Sequence, residues 1–118
     1  MDYQILIKFN KDPRYPWHCD FYIKSLDLFI EINGIWTHGP HPFDENNQED
    51  LKLLEKWKIK SKISKFYKKA IDGWTIRDIL KRKPVKENNL KYIEIFSRDF
   101  TKEFLLKIIK DYINHENK

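Results

Sequence analysis

The stretch CDFYIKSLDLFIEING, residues 19–34, alternates apolar and polar side chains in two arms around Lys24-Ser25-Leu26-Asp27. This period of two constrains the fold more than anything else in the chain. Two such arms joined by a short polar link read as a β-hairpin. With Ser25-Leu26 as the turn, Ile23 pairs with Leu28 and Asp20 falls opposite Glu31. Alternation puts Asp20, Tyr22 and Lys24 on one face of the first arm, leaving Cys19, Phe21 and Ile23 on the other. Phe29, Glu31 and Asn33 share a face of the second arm. The hairpin is thus expected to hold two carboxylates facing each other among Phe, Tyr and Ile.

Carboxylates facing at about 5 Å repel and destabilise the strand pair. A shared proton, a Lys or Arg between them, or a divalent cation offsets that. Lys24 lies near the turn and suits the second option poorly. A hard cation, Mg²⁺ or Mn²⁺, suits Asp20 and Glu31, with the peptide carbonyl of Ile32 as a third protein ligand. Such an ion acidifies bound water and stabilises charge on a phosphate. Acidic side chains on the solvent face of a hairpin also occur with no ligand, and Asn33-Gly34 is ordinary turn chemistry. The coincidence of Asp20 and Glu31 with Trp36, His38 and His41 just downstream is what points to a site.

Around the hairpin, YQILIKF at 3–9 predicts a first strand, and residues 10–16, with two prolines, a loop. Residues 34–47 contain two of the three glycines and two of the five prolines, which predicts a long loop. Asp44, Glu45, Glu49 and Asp50 precede a lysine-rich run and predict a helix with Leu51, Leu54 and Trp57 on one face. Ile59, Ile63, Phe66, Tyr67, Ala70 and Ile71 continue that apolar spacing, so the helix extends or restarts after a bend. Asp72-Gly73 is expected to end it. Thr75 with Asp78 is expected to cap a further helix carrying Ile76, Ile79 and Leu80, broken or kinked near Pro84. A last strand follows over 90–96. A C-terminal helix starting near Thr101 carries Phe104, Leu105, Ile108, Ile109, Tyr112 and Ile113. The order β-β-β-α-(α)-β-α describes one α/β domain over 1–118, a three-strand antiparallel meander plus a later strand reached through helices.

Composition bounds the function classes. At 118 residues, 41% hydrophobic and 15% aromatic, the chain can build a core. No apolar run is long enough for a membrane span, and the N-terminus lacks a signal-peptide pattern. The single Cys19 allows no intrachain disulfide, so an intracellular, cytoplasmic setting is expected. Charge is unevenly spread: residues 1–51 carry 4 Lys/Arg against 9 Asp/Glu, whereas residues 52–91 carry 14 against 4. That asymmetry suits a polyanion-binding protein, with Lys56, Lys60, Arg77, Lys81, Arg82, Lys83 and Lys86 as phosphate contacts and Trp36 against a nucleobase. Solvated lysine-rich helices would look the same residue by residue; only the group carries weight. A His/Cys zinc site from His18, Cys19, His38 and His41 matches no standard spacing.

The pattern DFYIxSLDLFIExxGxWTHG, beginning at Asp20, resembles the PD-(D/E)XK nuclease superfamily. More narrowly it is similar to small phage and bacterial endonucleases, including homing-type enzymes and relatives of very-short-patch repair nucleases. The likeness runs from Tyr15 to about Phe96 and includes HPFDENNQEDLKLLEKWK and GWTIRDILKRKPVKENNLKYIEIF. It implies a restriction-endonuclease-like core, a central mixed sheet flanked by helices, and Mg²⁺-dependent hydrolysis of DNA phosphodiesters. If phage-encoded, the protein would act in the host cell. Carried onto this chain, Asp20 and Glu31 with the Ile32 carbonyl would hold the metal, Asn33 would orient water or phosphate, and His38 would assist proton transfer.

Two departures stand out. Asn33 occupies the place of the motif's usual Lys and supplies no positive charge. The chain also starts on a strand where the family core starts on a helix that often contributes an acid, a part left to Asp44 or Glu45. The alternative reading is a nuclease-fold protein that binds nucleic acid or a protein partner without cutting; a structural module with acidic and basic faces is the third. A domain this small reaches few base pairs, so sequence-specific double-strand cutting would call for a homodimer or a partner domain.

Overall fold

The computed structural model describes residues 5–98 and 100–116. Four strands form one sheet in the order β1-β2-β3-β4: β1 (Ile5–Phe9), β2 (Cys19–Ile23), β3 (Leu28–Gly34) and β4 (Lys91–Ser97). The first three are antiparallel, as the meander predicts, and β4 joins β3 in parallel after the helices. The sheet is therefore mixed and the fold α/β. The expected start of β1 at Tyr3 lies outside the described residues.

The hairpin register matches the sequence reading, with Ile23 opposite Leu28 and Phe21 opposite Ile30. The turn does not. Lys24–Leu26 form one 3-10 turn and Asp27 adopts a left-handed backbone with φ 51°, so the link has four residues in place of two. Asp27 tolerates that conformation because its side chain is fixed locally, accepting from the Tyr22 hydroxyl at 2.6 Å and from Arg14.

The helices are α1 (Ile35–His38), α2 (Gln48–Ser61), α3 (Lys65–Asp72), α4 (Asp78–Glu87) and α5 (Lys102–Glu116). One face of the sheet packs on α5 through Ile23, Leu28, Ile30, Ile95, Leu105 and Ile109. The Thr101 hydroxyl caps α5 as expected, accepting from the Phe104 N–H at 3.1 Å. The other face is aromatic, with Tyr15, Tyr22 and Phe29 against Val85 and Leu90 at the end of α4 and just beyond it. A third cluster, Trp57, Ala70 and Trp74, holds α2 to α3 beside the sheet.

Several helical expectations fail for identifiable reasons. The segment 34–47 is not all loop, because α1 forms at once after β3 and stops at Gly39, whose φ is +73°. Asp72-Gly73 does not end α3. Gly73 stays helical and buried, and residues Gly73–Arg77 make a π-helical turn leading directly into α4. Gly73 lies against α1, where a Cβ would stand 3.4 Å from the Thr37 carbonyl. Thr75 and Asp78 therefore cap nothing. The Thr75 hydroxyl donates back to the Ile71 carbonyl at 2.7 Å, and Asp78 pairs elsewhere. Pro84 does not end α4 either; its missing N–H falls where the carbonyl a turn earlier belongs to exposed Leu80.

Ile59, Ile63 and Phe66 do not extend the buried face of α2: the chain leaves the helix over 62–64, and all three are exposed. Ile76, Ile79 and Leu80 are exposed as well, while Asp78, Lys81 and Arg82 turn inward. A π turn adds one residue to the helix and rotates everything after it by about 100°. That rotation carries α4 out of phase with the apolar stripe of α3.

Gly39 supports the sharpest stability expectation. At φ +73° and ψ 174° only glycine is comfortable, and a Cβ there would lie 2.3 Å from the Trp74 indole. Gly39→Ala is expected to lower unfolding free energy by about 3 kcal/mol in urea titration. Gly34→Ala, with its nearest atom at 3.9 Å, should cost under about 1 kcal/mol.

Candidate active site

Glu31 sits on β3, between β2 and β4, and is 3% exposed. A carboxylate there needs partners, because an unpaired buried charge is costly. Three donors reach it. The Tyr15 hydroxyl donates to Oε2 at 2.7 Å, the Lys81 ammonium to the same oxygen at 3.2 Å, and the Asp20 N–H to Oε1 at 2.8 Å. Burial still holds its carboxyl above the usual carboxylate range, against the opposing pull of those donors. Burial likewise raises Tyr15 and Tyr92, so both remain neutral phenols.

Tyr15 is delivered by the loop 10–18, which Arg14 fastens. Its guanidinium bonds Asp12 at 2.7 Å and Asp27 at 2.8 Å, and its carbonyl accepts from Asn88 at 2.8 Å. Arg14, with the Tyr22 hydroxyl, holds the Asp27 carboxyl down at about 2.

Asp20 lies where the hairpin changes hand. Ile5 packs toward α5 and Phe9 toward the aromatic face, although residues four apart on a strand should share a face. Between them Lys8 adopts φ 52°. Across from it, Cys19 joins Tyr22 and Phe29, whereas Phe21 faces α5. Asp20 therefore does not stack beside Glu31 on one face, as alternation predicts; it borders Phe21, Ile32 and Phe100. The β2/β3 pairing ends at Phe21 and Ile30, and the two carboxylates replace the ladder beyond it. Glu31 takes the Asp20 N–H, and Asp20 Oδ2 takes the Ile32 N–H at 2.8 Å. Each carboxylate thus satisfies a backbone donor of the other's strand.

The Ile32 N–H points at Asp20, and a strand residue sends its carbonyl to the same side. Asp20, Glu31 and Ile32 thus meet at the splayed end of β2 and β3, where Asp20 borders Ile32 and Phe100 while Glu31 turns to Tyr15 and Lys81. Among the described residues no cluster of three His, Cys, Asp or Glu adds to them. An all-oxygen, incomplete set of this kind fits Mg²⁺ or Mn²⁺, which keep several waters, and does not fit zinc. His18 is exposed, buried Cys19 faces the Phe21 and Ile30 carbonyls, and burial pushes its thiol up to about 12.

Asn33 is buried, and its Nδ2 donates to Glu94 at 2.7 Å; Glu94 is in turn gripped by Arg82. Its amide nitrogen is thus committed inside the protein and is not turned toward a water. His38 on α1 holds Asp78 of α4 through Nδ1 at 2.6 Å. A carboxylate on Nδ1 leaves Nε2 as the nitrogen able to exchange a proton. His41 pairs with buried Asp50 at 2.7 Å, and Asp50 also accepts the Asp44 N–H at 3.0 Å, pinning the loop 41–47. The Asp44 carboxylate accepts the Asn46 N–H at 2.9 Å, and Asp44 and Glu45 are both exposed.

One stripe of α4, Asp78, Lys81 and Arg82, thus reaches His38, Glu31 and Glu94 in turn, spaced i, i+3 and i+4. Lys81 and Arg82 make internal ion pairs while 20% and 19% of their side-chain surface stays exposed. Lys56, Lys60, Arg77, Lys83 and Lys86 are exposed. Trp36 is 61% exposed, with the Arg98 guanidinium 5.3 Å from its ring centre. Sequence reasoning missed Tyr15, Asp78 and Glu94. Glu94 had a signal: Ile-Glu-Ile occurs twice, at 30–32 and 93–95, and the parallel ladder sets Glu31 beside Glu94. Tyr15 and Asp78 had none, because their partners lie 16 and 40 residues away.

Comparisons with protein-family models, curated proteins and solved structures return no match. Among the described residues no helix is long and apolar enough to cross a membrane.

Removal of the Lys81 ammonium leaves Glu31 buried without a cation. Lys81→Ala is expected to cost about 3 kcal/mol in denaturant unfolding at neutral pH, with Lys81→Met/Glu31→Gln recovering most of it. The Glu31 carboxyl titrates higher folded than unfolded, so the folded state binds its proton more tightly. Its contribution to stability is therefore present at acid pH and lost as pH rises from about 4.5 through its raised folded value. Thermal melts across that range should show a falling slope that Glu31→Gln flattens.

Proposed function

We propose that this protein is a metal-dependent endonuclease that hydrolyses DNA phosphodiesters, on a core resembling the PD-(D/E)XK nucleases. The observation that carries the reading is the interlocked pair Asp20 and Glu31, each accepting a backbone N–H of the other's strand where the β2/β3 ladder ends. Asp20, Glu31 and the Ile32 carbonyl would hold Mg²⁺ or Mn²⁺, which supplies charge for a scissile phosphate and a more acidic water. Lys81, 3.2 Å from Glu31, brings from α4 the positive charge that Asn33 does not provide. His38, fixed through Nδ1 by Asp78, presents Nε2 for proton exchange. Exposed lysines of residues 52–91 would grip the phosphate backbone, making binding salt-sensitive.

A second reading has its own support. Tyr15 and Lys81 already compensate Glu31, and Asn33 is committed to Glu94, so the same arrangement suits a nuclease-fold protein that binds without cutting.

Cleavage of supercoiled plasmid with Mg²⁺, Mn²⁺ or EDTA separates the two. Metal-dependent nicking lost at least a hundredfold in Glu31→Ala and Asp20→Ala is the expected result. No cleavage with either metal, together with salt-sensitive binding unchanged in Asp20→Ala, would replace it with the non-cutting binder.

A further inference from the structure

Residues 56–71 contain seven lysines and no acid. They cover the end of α2, the bend over 62–64 and nearly all of α3. This bend carries the apolar side chains that sequence periodicity assigns to the core. Ile63 is 92% exposed at its tip, Ile59 is 64% exposed and Phe66 49%. The inner side of the same helices is fully used, with Trp57 and Ala70 packed on Trp74, so the outer residues are not a misplaced core. Around them stand Lys56, Lys60, Lys62 and Lys65, all exposed, and Lys60 lies 5.0 Å over the Tyr67 ring.

We infer that this elbow is a duplex-DNA docking point, in which Ile63 and Ile59 enter a groove while the surrounding lysines take the flanking phosphates. The inference rests on the proposed nucleic-acid substrate and identifies where that substrate is held. Charge complementarity selects the occupant. An isologous second copy would bring seven lysines against seven, with no acid among them to compensate. A protruding apolar tip between cations suits a groove, where apolar side chains wedge against base steps between walls of phosphate. An anionic bilayer would reward a long apolar stripe, and three side chains grouped around one bend offer too little area. α3, which leaves the elbow, packs on α1, which carries His38.

The test is fluorescence anisotropy with the full native chain and a short labelled duplex in EDTA, which withholds the metal and keeps the DNA intact. Ile59→Ser/Ile63→Ser should weaken binding about tenfold without changing the salt slope. Lys62→Ala/Lys65→Ala should reduce the slope of log affinity against log salt by about 2. Both should melt near the parent temperature, since the altered side chains are exposed, and Phe104→Ser on α5 should bind like the parent. Unchanged binding in the isoleucine double variant, or an equal loss with Phe104→Ser, overturns the inference. So does tighter binding to phosphatidylserine vesicles than to duplex, or a concentration-dependent dimer in sedimentation that the isoleucine variant abolishes. Failure of the two ideas is distinguishable. No cleavage in any metal with an intact isoleucine effect removes the nuclease and keeps the elbow; the converse removes the elbow alone.

Discussion

One buried carboxylate organises this molecule. Glu31 occupies an inner strand with almost no solvent, and its charge has to be met by donors from elsewhere in the chain. Lys81 comes from α4, Tyr15 from the loop between β1 and β2, and a backbone N–H from Asp20 across the strand gap. Each demand shapes something larger. α4 must present charge to the sheet, the loop must be clamped by Arg14, and the β2/β3 ladder must stop where the carboxylates replace it.

The inverted helix is the clearest consequence. A helix of this composition would ordinarily bury Ile76, Ile79 and Leu80, yet these face outward while Asp78, Lys81 and Arg82 face the sheet. The partners of the three charged groups, Glu31, Glu94 and His38, are themselves wholly or partly buried, so leaving them unpaired would cost more than the apolar exposure. The π turn at Gly73–Arg77 supplies the rotation, and its first residue lies against α1. Such turns recur where a helix serves function over regularity.

Much of the framework was legible because it rests on neighbours in sequence. The hairpin register followed from alternation, the Thr101 cap from local chemistry, and the α5 core from its helical spacing. The misreadings share another cause. Asp72-Gly73 looks like a helix end, and Thr75 with Asp78 like a cap, only while nothing else competes for those groups; α1 and His38 compete. Alternation failed at Asp20 because Lys8, on the neighbouring strand, takes a left-handed backbone that no sequence signal announces. For the candidate site, the meeting of Asp20 with Glu31 was readable from spacing, whereas Tyr15, Lys81 and Asp78 became partners through contacts spanning 16 to 50 residues.

The sequence by itself determined the strand hairpin, the α/β order, the amphipathic last helix, the uneven charge and the two acids beside Ile32. These are fixed by periodicity and side-chain chemistry within a few residues. Tertiary structure alone decided which face of α4 is buried, which cation meets Glu31, and that Ile59 and Ile63 stand in solvent. Those outcomes depend on which groups most need partners once the sheet has formed, and that competition is set by burial between distant segments.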